Sequence, residues 1–141
     1  MKTKFYFCPI CGNLILKVDG KGPTPICCGQ EMIALDPNTT DAAQEKHVPA
    51  CEWVNDHCLR VQVGSTLHPM LKDHHISFIF LETRTGGQIR YICPEEKPVV
   101  EFCCRKSDVV AVYEYCNIHG LWKKEIPPDK EDAMLACSSY F

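Results

Sequence analysis

Four cysteines near the start of the chain constrain this sequence more than any other feature. Cys8 and Cys11 form a Cys-x-x-Cys knuckle, and Cys27-Cys28 follow as an adjacent pair. The segment that carries them is rich in turn residues, with a loop by composition from Asp19 to Pro25. It is too short to fold on an apolar core, so a metal staple is expected. Four thiolates suit a tetrahedral ion, and the spacing alone leaves zinc and iron equally open. A metal-free redox Cys-x-x-Cys is the weaker alternative. Gly12 and Gly29 follow the two cysteine groups and permit tight turns there. Adjacent cysteines must splay to reach one ion, so a distorted tetrahedron is expected.

The chain holds eleven cysteines in 141 residues, an odd count that would leave one thiol over in a disulfide scaffold. Such scaffolds belong to secreted chains. The start of this one has two lysines but no long apolar stretch and no small-residue cleavage site, so no signal peptide is read and the cytoplasm is the expected location. No apolar run approaches the roughly 20 residues that span a bilayer, so no membrane partner is expected. A net charge of −3 and a pI near 6.0 give no electrostatic footprint for nucleic acid. In a reducing compartment, clustered cysteines point to metal.

The chain divides near a polar stretch. Residues 1–36 form the cysteine-rich segment, and residues 37–44 read as a linker with room for one helical turn capped by Thr40 or Asp41. Residues 45–126 then alternate with a period of two. Leu59, Val61 and Val63 alternate with polar neighbours, the run from Ile76 to Leu81 is apolar on both faces, residues 88–93 alternate again, and residues 99–104 and 109–115 are further β-branched and aromatic runs. Turn signals at Gly86-Gly87, Pro94, Lys97-Pro98 and Ser107-Asp108 separate them. The class is mainly β, an antiparallel sandwich or barrel. Residues 127–141 form a tail, compatible with a short helix around residues 133–136 or with loose chain.

Three local patterns in the strand-rich part carry imidazole or thiolate beside residues that fix the backbone: Glu45-Lys46-His47-Val48-Pro49, His68-Pro69-Met70 with His74, and Cys116-Asn117-Ile118-His119-Gly120. Pro49 and Pro69 restrict their neighbours, and Asn117 is in position to donate a hydrogen bond near the thiolate. Each histidine alone is weak. The force comes from three patterns in a chain that already has a four-cysteine cluster. His57 and His75 fall in no such pattern and read as non-ligands.

Taken together, these motifs resemble desulfoferrodoxin, the two-iron class of superoxide reductase, over roughly residues 5–124. The resemblance implies a small desulforedoxin-like domain in which Cys8, Cys11, Cys27 and Cys28 hold one iron, followed by an immunoglobulin-like antiparallel β-sandwich. There, His47, His68, His74 and His119 would be equatorial ligands of a second iron and Cys116 its axial thiolate. Lys46 would sit near the open position, and Glu45 would close it when no substrate is bound. The implied reaction is one-electron reduction of superoxide to hydrogen peroxide, with rubredoxin or a similar donor restoring the reduced state, in a homodimer. Asp73 departs from the family pattern, where a basic residue is common. Cys51, Cys58, Cys93, Cys103, Cys104 and Cys137 match no family motif. The rival readings are a non-enzymatic zinc module, whose structural sites do not use five such ligands, and a pure electron carrier, which leaves the histidine patterns unexplained.

Overall fold

The structure, a computed structural model, describes residues 3–128. The chain separates into two compact units, Met1–Pro37 and Asn38–Phe141.

In the first unit, strands β1 (Lys4–Phe7), β2 (Leu14–Lys17) and β5 (Ile33–Ala34) make an antiparallel sheet in the order β2-β1-β5. Strands β3 (Ile26–Cys27) and β4 (Gln30–Glu31) form a separate ribbon. Among the described residues Tyr6, Cys8 and Met32 form one buried cluster with Cys27 packed against it, and Phe5 is buried as well. So small an apolar core is the condition in which a metal staple supplies the folding energy. The adjacent cysteines have a backbone explanation. Cys27 pairs with Gln30, so Cys28 and Gly29 are the two central residues of a tight hairpin, with φ values of +52° and +76°. Positive φ at both positions is the pattern of a type I′ turn. Glycine adopts it freely; Cys28 does so against the usual preference of an L-residue.

The second unit opens with a helical turn, α1 (Gln44–His47). Seven strands follow: β6 (Pro49–Asn55), β7 (Cys58–Val63), β8 (Ile76–Thr83), β9 (Gly86–Tyr91), β10 (Val99–Cys103), β11 (Val109–Cys116) and β12 (Gly120–Glu125), with a 3-10 turn at Lys106–Asp108. They form two antiparallel sheets, β10-β7-β6 and β12-β11-β8-β9, as in an immunoglobulin-like sandwich. Leu59, Val61 and Val63 of β7 meet Phe102 of β10, Ile79 and Leu81 of β8 and Val112 of β11 in one core. The double apolarity of β8 is explained by its outer face, where Phe78 stacks on Tyr115 at 5.9 Å and Phe80 approaches Tyr113 at 6.2 Å.

The expected helical turn lies later than the sequence suggests. Its N-cap is Ala43, with no side-chain cap, and neither Thr40 nor Asp41 caps it. The turn is instead held through its carbonyls. The Nδ1 of His47 meets the Ala43 carbonyl at 2.7 Å, and the Glu45 carbonyl accepts from Thr66 N at 3.0 Å and Ser65 Oγ at 3.2 Å. Ahead of the turn, Asn38 is tied to β12 by three bonds: its N to Leu121 O at 3.1 Å, its Nδ2 to Lys123 O at 3.1 Å, and its Oδ1 from Lys123 N at 2.8 Å. The segment 127–141 falls largely outside the described residues.

Candidate metal centres

At one end of the sandwich, five side chains from three places converge. His47 ends α1, His68 and His74 stand in the loop between β7 and β8, and Cys116 and His119 belong to the β11–β12 hairpin. One donor atom from each lies within 4.8 Å of all the others. The four imidazoles form a closed ring in the order 47, 68, 74, 119. Neighbouring centroids are 4.7, 4.7, 5.0 and 4.8 Å apart, and every neighbour pair is edge-on.

The inner nitrogens are close. His47 Nε2 is 3.0 Å from His119 Nδ1 and 3.2 Å from His68 Nε2. His74 Nε2 is buried with no hydrogen-bond partner. Meanwhile the outer nitrogens of His47 and His68 face the carbonyls of Ala43 at 2.7 Å and Pro69 at 2.6 Å. A carbonyl can only accept, so it holds the proton on Nδ1 and leaves the inner Nε2 as a lone pair. Lone pairs packed together repel unless a cation lies between them. Donors at right angles around an ion with bonds of about 2.1 Å stand about 3 Å apart, which the inner spacings match.

Burial reinforces the neutral state. It pushes His47 and His74 down and takes His68 down to about 4. Cys116 Sγ lies 3.8 Å from His119 Nδ1 and accepts from the His119 backbone N–H at 3.4 Å. Burial pushes this thiol up, and the His119 and Ile118 amides oppose it. A bound cation supplies what the amides alone do not, because metal-coordinated thiols are deprotonated outright.

Asn117 has a different partner from the one its place in the motif suggests. Its Nδ2 donates to Asp73 O at 2.9 Å, and its Oδ1 accepts from His75 N at 2.8 Å. Instead of bonding the thiolate, it ties the loop bearing His74 to the hairpin bearing Cys116. Lys46 is exposed, and its charge is felt at both His47 and His74. Glu45 is also exposed and is not among the converging donors. His57 and His75 lie outside the ring.

Two neighbours of the site were not read from the sequence. Trp122 is fully buried, stacks on His47 at 4.8 Å and 25°, and donates from Nε1 to His119 O at 3.2 Å, so it steadies two ring members. Glu114 is fully buried on the core-facing side of β11 with both carboxylate oxygens unpartnered, and burial pushes its carboxyl well up. Its register with Cys116, two residues on, is the signal that places it inside.

The thiolate cluster of the first unit is equally convergent. The sulfurs of Cys8, Cys11, Cys27 and Cys28 lie within 4.8 Å of one another. Cys11 Sγ is 3.5 Å from Cys27 Sγ, which is 4.0 Å from Cys28 Sγ. Tetrahedral sulfurs at about 2.3 Å from an ion would be about 3.8 Å apart. The Cys11 amide lowers the Cys8 thiol to about 7, whereas crowding by Cys11 and then Cys27 pushes Cys28 up to about 12. Four such thiols stay close only when a cation takes the protons' place. Both donor sets fit iron: a four-sulfur site and a four-nitrogen, one-sulfur site.

Of the remaining cysteines, Cys51 and Cys104 are half-buried against the sandwich core, Cys58 is half-buried, and Cys93 and Cys103 are exposed. Cys137 lies outside the described residues.

Comparison with known proteins gives consistent results. The family model described as Desulfoferrodoxin matches residues 39–125. A desulfoferrodoxin of Syntrophotalea carbinolica is 40% identical over 88% of this chain and 97% of its own length. One of Desulfarculus baarsii is 39% identical over 88% and 97%. Among solved structures, the superoxide reductase of Treponema pallidum superposes with a TM-score of 0.72 at 33% identity, covering 89% of this chain and all of the other.

Proposed function

The chain belongs to the desulfoferrodoxin family, and on that premise we propose that it is a superoxide reductase, converting superoxide to hydrogen peroxide by one-electron reduction. The observation that carries the reading is the closed ring of four imidazoles whose donor nitrogens converge with the Cys116 sulfur. In this reading His47, His68, His74, His119 and Cys116 hold one iron, and Cys8, Cys11, Cys27 and Cys28 hold the other. Iron held by these five residues would supply, when bound and reduced, the one-electron chemistry that superoxide reduction needs.

The protein's part is to attract, admit and protonate. Neutral imidazoles leave the metal's charge only partly cancelled, by one thiolate, so the site stays attractive to an anion. Lys46 adds a positive charge at the rim, steers superoxide inward and orders the water that supplies protons to the product. Glu45, its neighbour on the same turn, closes the open side between turnovers. That closure keeps a second superoxide from being oxidised, so the reaction is reduction and not dismutation.

A rubredoxin-like donor returns the electron. The exposure of Ile10, Val18 and Ile26 in the first unit supports cover by a second copy, hence a homodimer. Among the described residues no helix is long and apolar enough to cross a membrane; the cytoplasm is the proposed location. For function, the reading takes residues 1–36 as the four-cysteine domain, 37–44 as its link, 45–126 as the reducing domain and 127–141 as a tail.

The test is metal analysis and superoxide-dependent oxidation of a reductant by the anaerobically loaded protein. Two irons per chain and activity that Cys116→Ser abolishes are expected. Tightly held zinc that iron does not replace, with no superoxide consumption, would overturn the proposal.

A further inference from the structure

Far along β7 and β10 from the imidazole-bearing loops, two cysteines that the family motifs leave unused face each other. Cys58 opens β7 and Cys103 closes β10, and the register pairs them directly. The ladder's hydrogen bonds fix the kind of pair. Cys104 N donates to His57 O at 3.1 Å, and at the other end Val63 N donates to Pro98 O at 2.9 Å. Hydrogen-bonded and non-hydrogen-bonded pairs alternate along an antiparallel ladder, so the pair next to His57 and Cys104 is non-hydrogen-bonded. Such pairs hold their Cα atoms about 4.5 Å apart, with side chains on one face at their closest approach. That separation is within the range that a disulfide spans, at its short end, where the bond is more easily reduced again.

The face is the outer one. Leu59 and Phe102, the next pair along, are fully buried in the core, so Cys58 and Cys103 point away from it. Cys104 points the other way and packs against the core, which removes it as a competing partner for Cys103. Next along the same outer face, Arg60 binds Glu101 from Nε at 3.1 Å and Nη2 at 2.9 Å, which pins the two strands in register. Cys103 is exposed at the end of an edge strand, and Cys58 is half-covered with its thiol 3.7 Å from Glu101 Oε2.

We propose that Cys58 and Cys103 are a second redox site, a cross-strand dithiol that hydrogen peroxide oxidises reversibly to a disulfide. The Cys103 sulfur attacks one peroxide oxygen. The O–O bond breaks, hydroxide leaves and takes a proton as water, and Cys103 becomes a sulfenic acid. The Cys58 sulfur, turned from Glu101 about its χ1, then attacks the Cys103 sulfur. The S–O bond breaks, the S–S bond forms, and a second water leaves with the Cys58 proton. Two thiols lose two electrons in all, and peroxide gains them. Burial, and next to it the Glu101 carboxylate, pushes the Cys58 thiol up, which suits the partner that waits and not the one that attacks first. The peroxide source rests on the function proposed above, since peroxide would be its product; the dithiol chemistry does not.

The experiment uses the full-length, metal-loaded protein. Reagent hydrogen peroxide is added and removed with catalase. The protein is then alkylated in denaturant without reductant and mapped by peptide mass spectrometry. The expected product is one cross-linked peptide pair joining Cys58 to Cys103, two hydrogens lighter than the free pair and lost on dithiothreitol treatment. Cys103→Ser should abolish the cross-link and slow oxidation of Cys58 at least tenfold, whereas Cys104→Ser should leave it intact. Cys58→Ala gives a second check, since Cys103 should then stop at sulfenic or sulfinic acid. The inference is overturned if Cys58 and Cys103 remain alkylatable at peroxide levels that oxidise Cys93. Coupling of Cys103 to Cys93 or Cys104 would overturn it equally. Because peroxide is added as a reagent, either result stands apart from the superoxide assay run on the same sample.

Discussion

Lys46 carries the clearest consequence of a single charge. It sits beside the imidazole ring without entering it, close enough for its charge to lower His47 and His74. Lys46→Ala should therefore leave iron content unchanged and slow superoxide capture about tenfold at low salt. The salt dependence of the rate should flatten, because the screened attraction is gone. Pulse radiolysis across ionic strengths reads both, and an unchanged slope would remove Lys46 from steering. Cys51 illustrates the opposite case, a chain cysteine outside any site. Burial pushes its thiol up to about 11, so at pH 8 the sign favours the neutral form and about one molecule in a thousand carries the thiolate. Native alkylation at pH 8 should label Cys93 and Cys103 and spare Cys51; rapid labelling of Cys51 would show that the β6 edge opens. At this scale the residues whose donors converge were legible because each motif names them. Asn117 was misread because a motif gives proximity in sequence, whereas its amide reaches Asp73, 44 positions back across the fold. Glu114 was not seen because a lone Glu in a strand reads as solvent-facing until the inward register of Cys116 is known.

The turn that carries Glu45, Lys46 and His47 depends on a glycine in another element. Gly64, at the end of β7, has φ +79°, and a Cβ there would meet the backbone oxygens of Thr66 and Glu45, the latter at 2.7 Å, and Lys46 C at 2.8 Å. Those atoms are main chain and cannot swing aside. The left-handed conformation alone costs a non-glycine residue about 1–3 kcal/mol. Gly64→Ala should lower the melting temperature and also push α1 away from the ring. The loaded variant should lose iron from the histidine site faster than from the cysteine site, which a chelator chase with visible absorption resolves. Equal loss from both would mean that the turn is not held from β7. This dependence also explains which elements the sequence exposed. β7 alternates because one of its faces meets a continuous core, whereas β11 is buried on both faces from Ala111 to Glu114 and shows as an apolar run. β6 was missed because an edge strand buries little, and β12 because Leu121 and Trp122 are buried consecutively, on opposite faces, with no period to detect. The strands of the first unit run two to four residues, too short for any periodicity. Likewise α1 has no side-chain cap to signal it and is held through the Glu45 and Ala43 carbonyls by Thr66, Ser65 and its own His47.

The two units differ in what keeps each folded, and this difference is testable on the whole molecule. The second buries Trp122, Phe102, Leu59, Ile79 and Leu81 completely, a core of ordinary kind for a sandwich of this size. In the first, the described buried apolar side chains are Phe5, Tyr6 and Met32 beside the cysteine sulfurs, and its β3–β4 hairpin holds Cys28 at an unfavourable positive φ. Metal binding must contribute most of the folding free energy there, as in other small sites whose ligands come from an otherwise coreless segment. Cys27→Ser removes one ligand from that hairpin and leaves the sandwich untouched. In the full-length variant, amide exchange across β1, β2 and β5 should rise to near the unprotected rate, while protection in β7, β8 and β11 stays within a few-fold of the parent. The four-sulfur absorption should disappear, and superoxide reduction with a chemical reductant should continue, since all five converging donors of the imidazole site belong to the second unit. If β1 and β5 keep their protection without the ligand, the apolar residues suffice and the metal there is not structural. If turnover with the chemical reductant ceases while the sandwich stays protected, the first iron is an obligatory carrier of the electron and not a staple.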